Sequence, residues 1–249
     1  MKAQFEIGGK WVKVNLDEGV DLSIPVSTNP DQVNAYYAHP VKMEPYKSGD
    51  FVGEVKQGGS VNYRDISFNP HGNGTHTECV GHITEDIHSV NEHFKDFWQL
   101  VKLVSIEPIS TEEGDLVIDY GDVASLLTGG EPAIIIRTLP NPTDKVNRQY
   151  SGLNPPYLSD SLIKQLVDAG IKHLLVDLPS VDREVDNGKL LGHRAFWMPN
   201  GELRMDCTIT EMVFVPSELE DGTYLLNLQV APFENDAAPS RPLIYPIEA

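Results

Sequence analysis

The stretch from residue 133 to residue 178 constrains the fold more than any other part of the chain. Ala133 to Leu139 carries Ile134, Ile135 and Ile136 as a continuous apolar run. Runs of that kind belong to strands covered on both faces, as the strands of a parallel sheet are. Ser159 to Ala169 follows, with Leu162, Ile163, Leu166 and Val167 on one helical stripe and Gly170 where a C-terminal cap belongs. His173 to Leu178 is a second apolar strand. Strand, helix, strand in that order is a βαβ unit, so the pattern predicts an α/β fold with a mixed, partly parallel sheet.

The flanking segments add β structure. Phe5, Ile7, Trp11, Val12 and Val14 flank Gly8-Gly9, a short hairpin signal, and Leu22 and Ile24 continue toward Pro25. Residues 27–60 are polar and interrupted by Pro30, Pro40 and Pro45, which reads as a long surface excursion. Residues 61–69 read as a strand. The spacing of Val90, Phe94, Phe97 and Trp98 predicts a helix over 87–100, followed by a strand over 100–109. Thr208 to Val215 and Tyr224 to Val230 are further expected strands. Hydrophobic residues make up 40 % of the 249 and are spread along the whole length, which fits a single domain over 1–249. Gly129-Gly130 is too weak a signal for a phosphate loop.

Charge narrows the partners. With 19 Lys and Arg against 37 Asp and Glu, the net charge is 19 minus 37, or −18. A phosphate backbone or an anionic membrane would be repelled, leaving a small molecule as the expected partner. No run approaches the ~20 apolar residues of a spanning helix, and the N-terminus has no apolar signal core. The chain reads as soluble and cytoplasmic. Two cysteines, Cys79 and Cys207, exclude a disulfide-dense scaffold and leave a single bridge open.

Residues 71–82 concentrate the chemistry. His76, Glu78 and His82 fall within seven residues, with His71 just upstream and Gly72, Gly74 and Gly81 between them. In an extended segment, side chains two apart share a face, so His76 and Glu78 converge, and a turn through Gly81 can bring in His82. Imidazole with carboxylate is a donor set for zinc, manganese or iron. Cys79 alternates to the opposite side and reads as core. Downstream stand Leu178-Pro-Ser-Val-Asp182, then His193, then Glu211 in an otherwise apolar strand. Glu211 can face solvent, pair with Arg194 or Arg204, or complete a metal site. Asp182 can orient a ligand or simply make a turn. Tyr36, Tyr37, Tyr46 and Trp197 are open between pocket and core, while His39, His88, His93 and His173 read as exposed or structural.

These motifs resemble those of the cyclase family of metal-dependent hydrolases, which includes bacterial kynurenine formamidase and isatin hydrolase. The family signature is approximately His-x-Gly-Thr-His-x-Asp-x-Pro-x-His, matched here by Gly72-Asn-Gly-Thr-His-Thr-Glu-Cys-Val-Gly-His82. The likeness continues in Leu178-Pro-Ser-Val-Asp182, His193, Glu211 and an Ala-Pro-x8-Arg pattern at Pro232 and Arg241. It implies that His76 and Glu78 are metal ligands, with Glu78 in place of aspartate and Val80 in place of proline. It makes His82 the catalytic acid/base and His193 and Glu211 distal ligands. Where the family has a first histidine, this chain has Gly72. His71 is the candidate substitute, although a one-residue slip in a strand turns a side chain away unless a bulge redirects it. The resemblance further implies a swivelling β/β/α domain, a homo-oligomer, and one or two divalent ions, Zn or Mn, per subunit. The implied reaction is hydrolysis of an amide, formamide or cyclic amide/lactone. The alternatives are a non-catalytic binding protein on the same fold, which Gly72 favours, or a metal-dependent cyclase or dehydratase.

Overall fold

Ten strands form the main sheet of the computed structural model, which describes residues 1–127 and 130–248. Gly129, half of the Gly129-Gly130 pair, lies outside the described residues. The strands are β1 (Lys2–Ile7), β2 (Lys10–Asn15), β3 (Val20–Asp21), β4 (His76–Glu78) and β5 (Trp98–Ile106). They continue with β6 (Ala133–Thr138), β7 (His173–Val176), β8 (Thr208–Glu211), β9 (Gly222–Val230) and β10 (Ala237–Glu248). Their order is β1-β2-β10-β9-β5-β6-β7-β8-β4, with β3 on β10 and β4 returning to pair with β10. The sheet therefore closes, and β10, β9, β5, β6, β7, β8 and β4 make a mixed barrel whose seam is β4.

The βαβ unit stands as its sequence predicts. β6 and β7 are parallel, with Ile134 opposite Leu174 and Ile136 opposite Val176. Helix α2 (Asp160–Asp168) crosses between them; Ser159 caps it by accepting from the Leu162 amide, and Gly170 follows at φ +86°. The continuous apolar run has a physical reason. Ile134 and Ile136 pack with Leu162, Ile163 and Leu166 of α2 and with Phe196 and Trp197 of α3 (Leu191–Trp197). Ala133 and Ile135 face the barrel interior beside Leu103, Leu175 and Leu226. Each fully buried side chain of that size contributes about 2 kcal/mol.

The N-terminal hairpin pairs Ile7 with Lys10 across Gly8 and Gly9, both at positive φ. The helix expected over 87–100 is a correction: of that span only the turn α1 (Val90–His93) is helical, and the chain is already a strand at Trp98. Val90 and Phe94 satisfy one turn of spacing, but Trp98 to Ile106 gains ladders with β9 and β6, and that pairing overrides local periodicity. The strand expected over 208–215 ends at Glu211, where Met212 takes φ +53°. Within 27–69, Lys42–Pro45 pairs with Arg64–Ser67 away from the barrel. Cys79 and Cys207 are free and buried.

Candidate metal centre

The seam strand sets out the site. β4 pairs antiparallel with β8 so that His76 stands opposite Glu211, and with β10 so that Glu78 stands opposite Ala237. Thr77 alternates to the other side and meets Thr210, hydroxyl to hydroxyl at 2.8 Å. Just before β4, the Thr75 hydroxyl accepts from the Ile24 amide at 2.7 Å and donates to the Met212 carbonyl, tying the strand to its neighbours.

Four histidines and four carboxylates meet on the inner side. His193 Nε2 is 3.1 Å from Glu78 Oε1, and His71 Nδ1 is 3.1 Å from Glu78 Oε2. His76 Nε2 is 3.4 Å from Glu211 Oε2, and His82 Nδ1 is 3.7 Å from Glu78 Oε2. Asp236, immediately before β10, places Oδ2 3.0 Å from both His71 Nε2 and His82 Nδ1. Asp182 accepts from His193 Nδ1 at 2.5 Å.

His71 enters this cluster because it lies in a turn and not in a strand, so strand alternation does not govern it. The adjacent Gly72 cannot take its place. A Cβ there would stand 2.8 Å from the Ala35 carbonyl oxygen and closer still to Ala38. The turn over 35–38 docks on Gly72, whose carbonyl accepts from the Ala35 amide at 3.0 Å. The close approach of that turn explains the glycine where a histidine was expected. Gly74, at φ +152°, is the second position that needs a glycine.

Glu211 neither faces solvent nor pairs with an arginine. It is buried, its Oε1 accepts from the Val181 amide at 3.1 Å, and its Oε2 faces His76. Arg194 donates instead to the Lys189 carbonyl, and Arg204 to the carbonyls of Phe196 and Ile171. Asp182 is an orienting residue, also accepting from the Gly192 and His193 amides at the start of α3. Arg241 is a surface partner of Asp21 and lies outside the cluster. Asp236 is the residue that sequence reasoning missed. It stands within the Pro232 to Arg241 stretch, but nothing in its spacing ties it to residues 71–82.

The arrangement fits a cation. His76 Nε2 and Glu78 Oε2 are buried and have no hydrogen-bond partner, although an unpaired buried polar atom is costly. Glu78 Oε2 is near His71 Nδ1 without the angle of a hydrogen bond. The outer nitrogens are already engaged: His76 Nδ1 donates to the Gly74 carbonyl at 3.1 Å, and His193 Nδ1 to Asp182. Their Nε2 atoms are left facing the cluster, as metal-ligating imidazoles are oriented. Among the described residues three triads each bring their ligand atoms within 4.8 Å: His71, His76 and Glu78; Glu78, His82 and His193; and His71, His82 and Asp236.

Electrostatics agree. Burial disfavours charge on His193, but Asp182 and Glu78 outweigh it and raise its pKa to about 10. Burial acts likewise on His71, where Asp236 and Glu78 raise it to about 10. Burial pushes the Glu78 carboxyl upward, yet the surrounding His82, His193 and His71 hold it well below the usual carboxylate range. The cluster thus has a surplus of negative charge that cations must balance.

A cavity of about 300 Å³ opens on the cluster, lined by His71, His82, His193 and Glu211, with Tyr36 and Leu190 among its other walls. A neighbouring cavity of about 360 Å³ shares Asp182 but none of the histidines, so chemistry and not size selects the site. Trp197 is core, its ring 5.4 Å from that of His193. Tyr37 and Tyr46 do not line the site cavity. His173 is buried and bonded to Thr208, and His39 is exposed.

The chain belongs to the Cyclase family, whose model matches residues 20–183. No curated protein sequence matches it. Among solved structures, a "predicted metal-dependent hydrolase" from Bacillus stearothermophilus aligns over 91 % of this chain and 97 % of that one, at 17 % identity and TM-score 0.62. Isatin hydrolase A from Labrenzia aggregata, bound to benzyl benzoate, aligns over 92 % and 94 % at 16 % identity and TM-score 0.61. An isatin hydrolase bound to the product analogue thioisatinate aligns over 93 % of both chains at 13 % identity and TM-score 0.62. At these identities the likeness is one of fold.

Proposed function

We propose that this protein is a metal-dependent hydrolase that opens an amide, formamide or cyclic amide/lactone bond in a small molecule. The observation that carries the reading is the pair of buried, unpartnered ligand atoms, His76 Nε2 and Glu78 Oε2, which stand against Glu211 and His71, two residues that line a cavity of about 300 Å³. Family membership and the isatin hydrolase folds support it. On this reading residues 1–249 form one domain of the swivelling β/β/α type, cytoplasmic and homo-oligomeric, with no nucleic-acid or membrane partner. Among the described residues no helix is long and apolar enough to cross a membrane.

His71, His76 and Glu78 would hold one divalent ion, Zn or Mn, and Glu78 with His193 and Glu211 would hold a second. A divalent ion in such a set acidifies water to a pKa of about 7 and polarises a carbonyl. The protein's own groups do the rest. Asp182 locks the His193 ring, and the Val181 amide holds Glu211. His82, on the cavity wall, accepts a proton from the attacking water and delivers it to the leaving nitrogen or oxygen. Tyr36 and Leu190 supply apolar surface for the substrate body.

Metal analysis of the purified protein, with turnover of isatin, N-formylkynurenine and a cyclic imide in added zinc or manganese, tests this. His76→Ala should lose metal and activity together. His82→Ala should keep its metal and lose about 10²- to 10⁴-fold in kcat, the usual size of general acid–base help. Wild-type protein that binds no divalent ion and cleaves none of these compounds refutes the reading.

A further inference from the structure

Asp236 meets two histidine rings of the cluster through a single oxygen. Its Oδ2 lies 3.0 Å from His71 Nε2 and 3.0 Å from His82 Nδ1. A carboxylate oxygen accepts, so each of those nitrogens carries its hydrogen toward Asp236. In a neutral imidazole the other nitrogen then has the lone pair. For His71 that nitrogen is Nδ1, the atom 3.1 Å from Glu78 Oε2. For His82 it is Nε2. The pattern differs from His76 and His193, whose Nδ1 atoms are held by Gly74 and Asp182 so that Nε2 faces inward.

We propose that Asp236 is a positioning residue that sets two tautomers with one oxygen: His71 presents Nδ1 to the ion, and His82 presents Nε2 to the substrate. The inference rests on the hydrolase reading and adds a residue and two ligating or reacting atoms to it. The His71–His82 ring separation of 4.5 Å follows from the shared acceptor, so both rings are held at once. It also accounts for the displaced histidine of the motif. The histidine at 71 enters from the turn with Nδ1 toward Glu78, and Asp236 commits it to that nitrogen. In the reaction His82 Nε2 takes a proton from water and gives it to the leaving group, while Nδ1–H goes on donating to Asp236, whose carboxylate steadies the imidazolium that forms between the two transfers.

Asp236→Asn is isosteric and keeps one accepting oxygen, which can take both N–H groups as Oδ2 does, but it loses the negative charge that steadies the imidazolium. Asp236→Ala removes both bonds. The variants are compared with wild type in zinc-loaded form by long-range ¹H–¹⁵N spectra of the histidine rings, by zinc stoichiometry and affinity, and by kcat and KM. Expected in wild type are an Nδ1–H tautomer for His82 and an Nε2–H tautomer for His71. Asp236→Ala should lose at least one of these tautomers while Asp236→Asn keeps both; each variant should keep the zinc stoichiometry and drop about 10- to 100-fold in kcat with KM within about threefold, the usual range for an orienting partner. Loss of an ion from Asp236→Asn, as the triad of His71, His82 and Asp236 would give were Asp236 a ligand, overturns the proposal. Unchanged tautomers with unchanged kcat in Asp236→Ala overturn it as well. Wild-type protein without zinc or turnover instead refutes the hydrolase reading. The ring N–H signals of metal-free protein then decide the hold of Asp236: their loss in Asp236→Ala sustains it, and their survival overturns it.

Discussion

Moving the histidine back to the family position should fail to restore the ligand, and the double variant His71→Ala/Gly72→His tests this. A side chain at 72 starts with Cβ 2.8 Å from the Ala35 carbonyl oxygen and in closer conflict with Ala38, so the 35–38 turn must shift. That turn is not soft: Tyr36 and Tyr37 both hold positive φ, at 55° and 52°, and the Ala35 amide is bonded to the Gly72 carbonyl. Overpacking of this kind costs about 1–3 kcal/mol. In a domain of this size each kcal/mol moves Tm by roughly 2–4 °C, so the double variant should melt roughly 2–12 °C below wild type. His71→Ala alone adds no clash and serves as the control. Circular dichroism melts of the metal-free proteins, with zinc affinity measured alongside, give the comparison. A double variant that melts with wild type and binds zinc as tightly would show that position 72 is open to the site after all.

Two other perturbations follow from the same geometry. Asp182→Asn keeps an acceptor for the amides at the start of α3 but weakens the hold on His193 Nδ1, so zinc affinity measured by chelator competition should fall about 10- to 100-fold; an unchanged affinity would remove Asp182 from the orienting role. His173 is buried, and burial lowers its pKa to about 4. The unfolded chain, with histidine near 6.5, binds the extra proton between those values, so stability is fullest above about pH 6.5 and falls as pH drops toward 4. The difference amounts to roughly 3 kcal/mol. His173→Asn should flatten the urea-unfolding stability profile across that window, and an equally steep profile would refute the assignment.

What could be read from the chain divides along physical lines. The βαβ unit was legible because the apolar run at Ile134 to Ile136 and the α2 stripe are patterns complete within a few residues of chain. His76 and Glu78 were legible because strand alternation alone makes them converge. The helix over 87–100 misled, since Trp98 and Leu100 serve a ladder with β9, more than a hundred residues away in sequence, and no local spacing announces that. His71 was undecided for a similar reason. Its direction depends on a turn, and the turn depends on Ala35 and Ala38. Asp236 was invisible, because only the pairing of Ala237 with Glu78 carries it to the histidines.

Closure of the barrel and assembly of the site are one event. β4 is three residues long, and its register against β8 and β10 decides both. A slip of one residue would turn His76 and Glu78 away and put Thr77 in their place. The correct register gathers Glu78, Glu211 and Asp236 at the seam, which stability alone would not select, because buried like charges oppose each other. Protons on His71 and His193 offset part of that repulsion, as their raised pKa values show. A divalent ion would offset it more completely while satisfying His76 Nε2 and Glu78 Oε2, which the protons leave unpartnered. The seam is therefore a place where binding a metal and completing the fold draw on the same free energy.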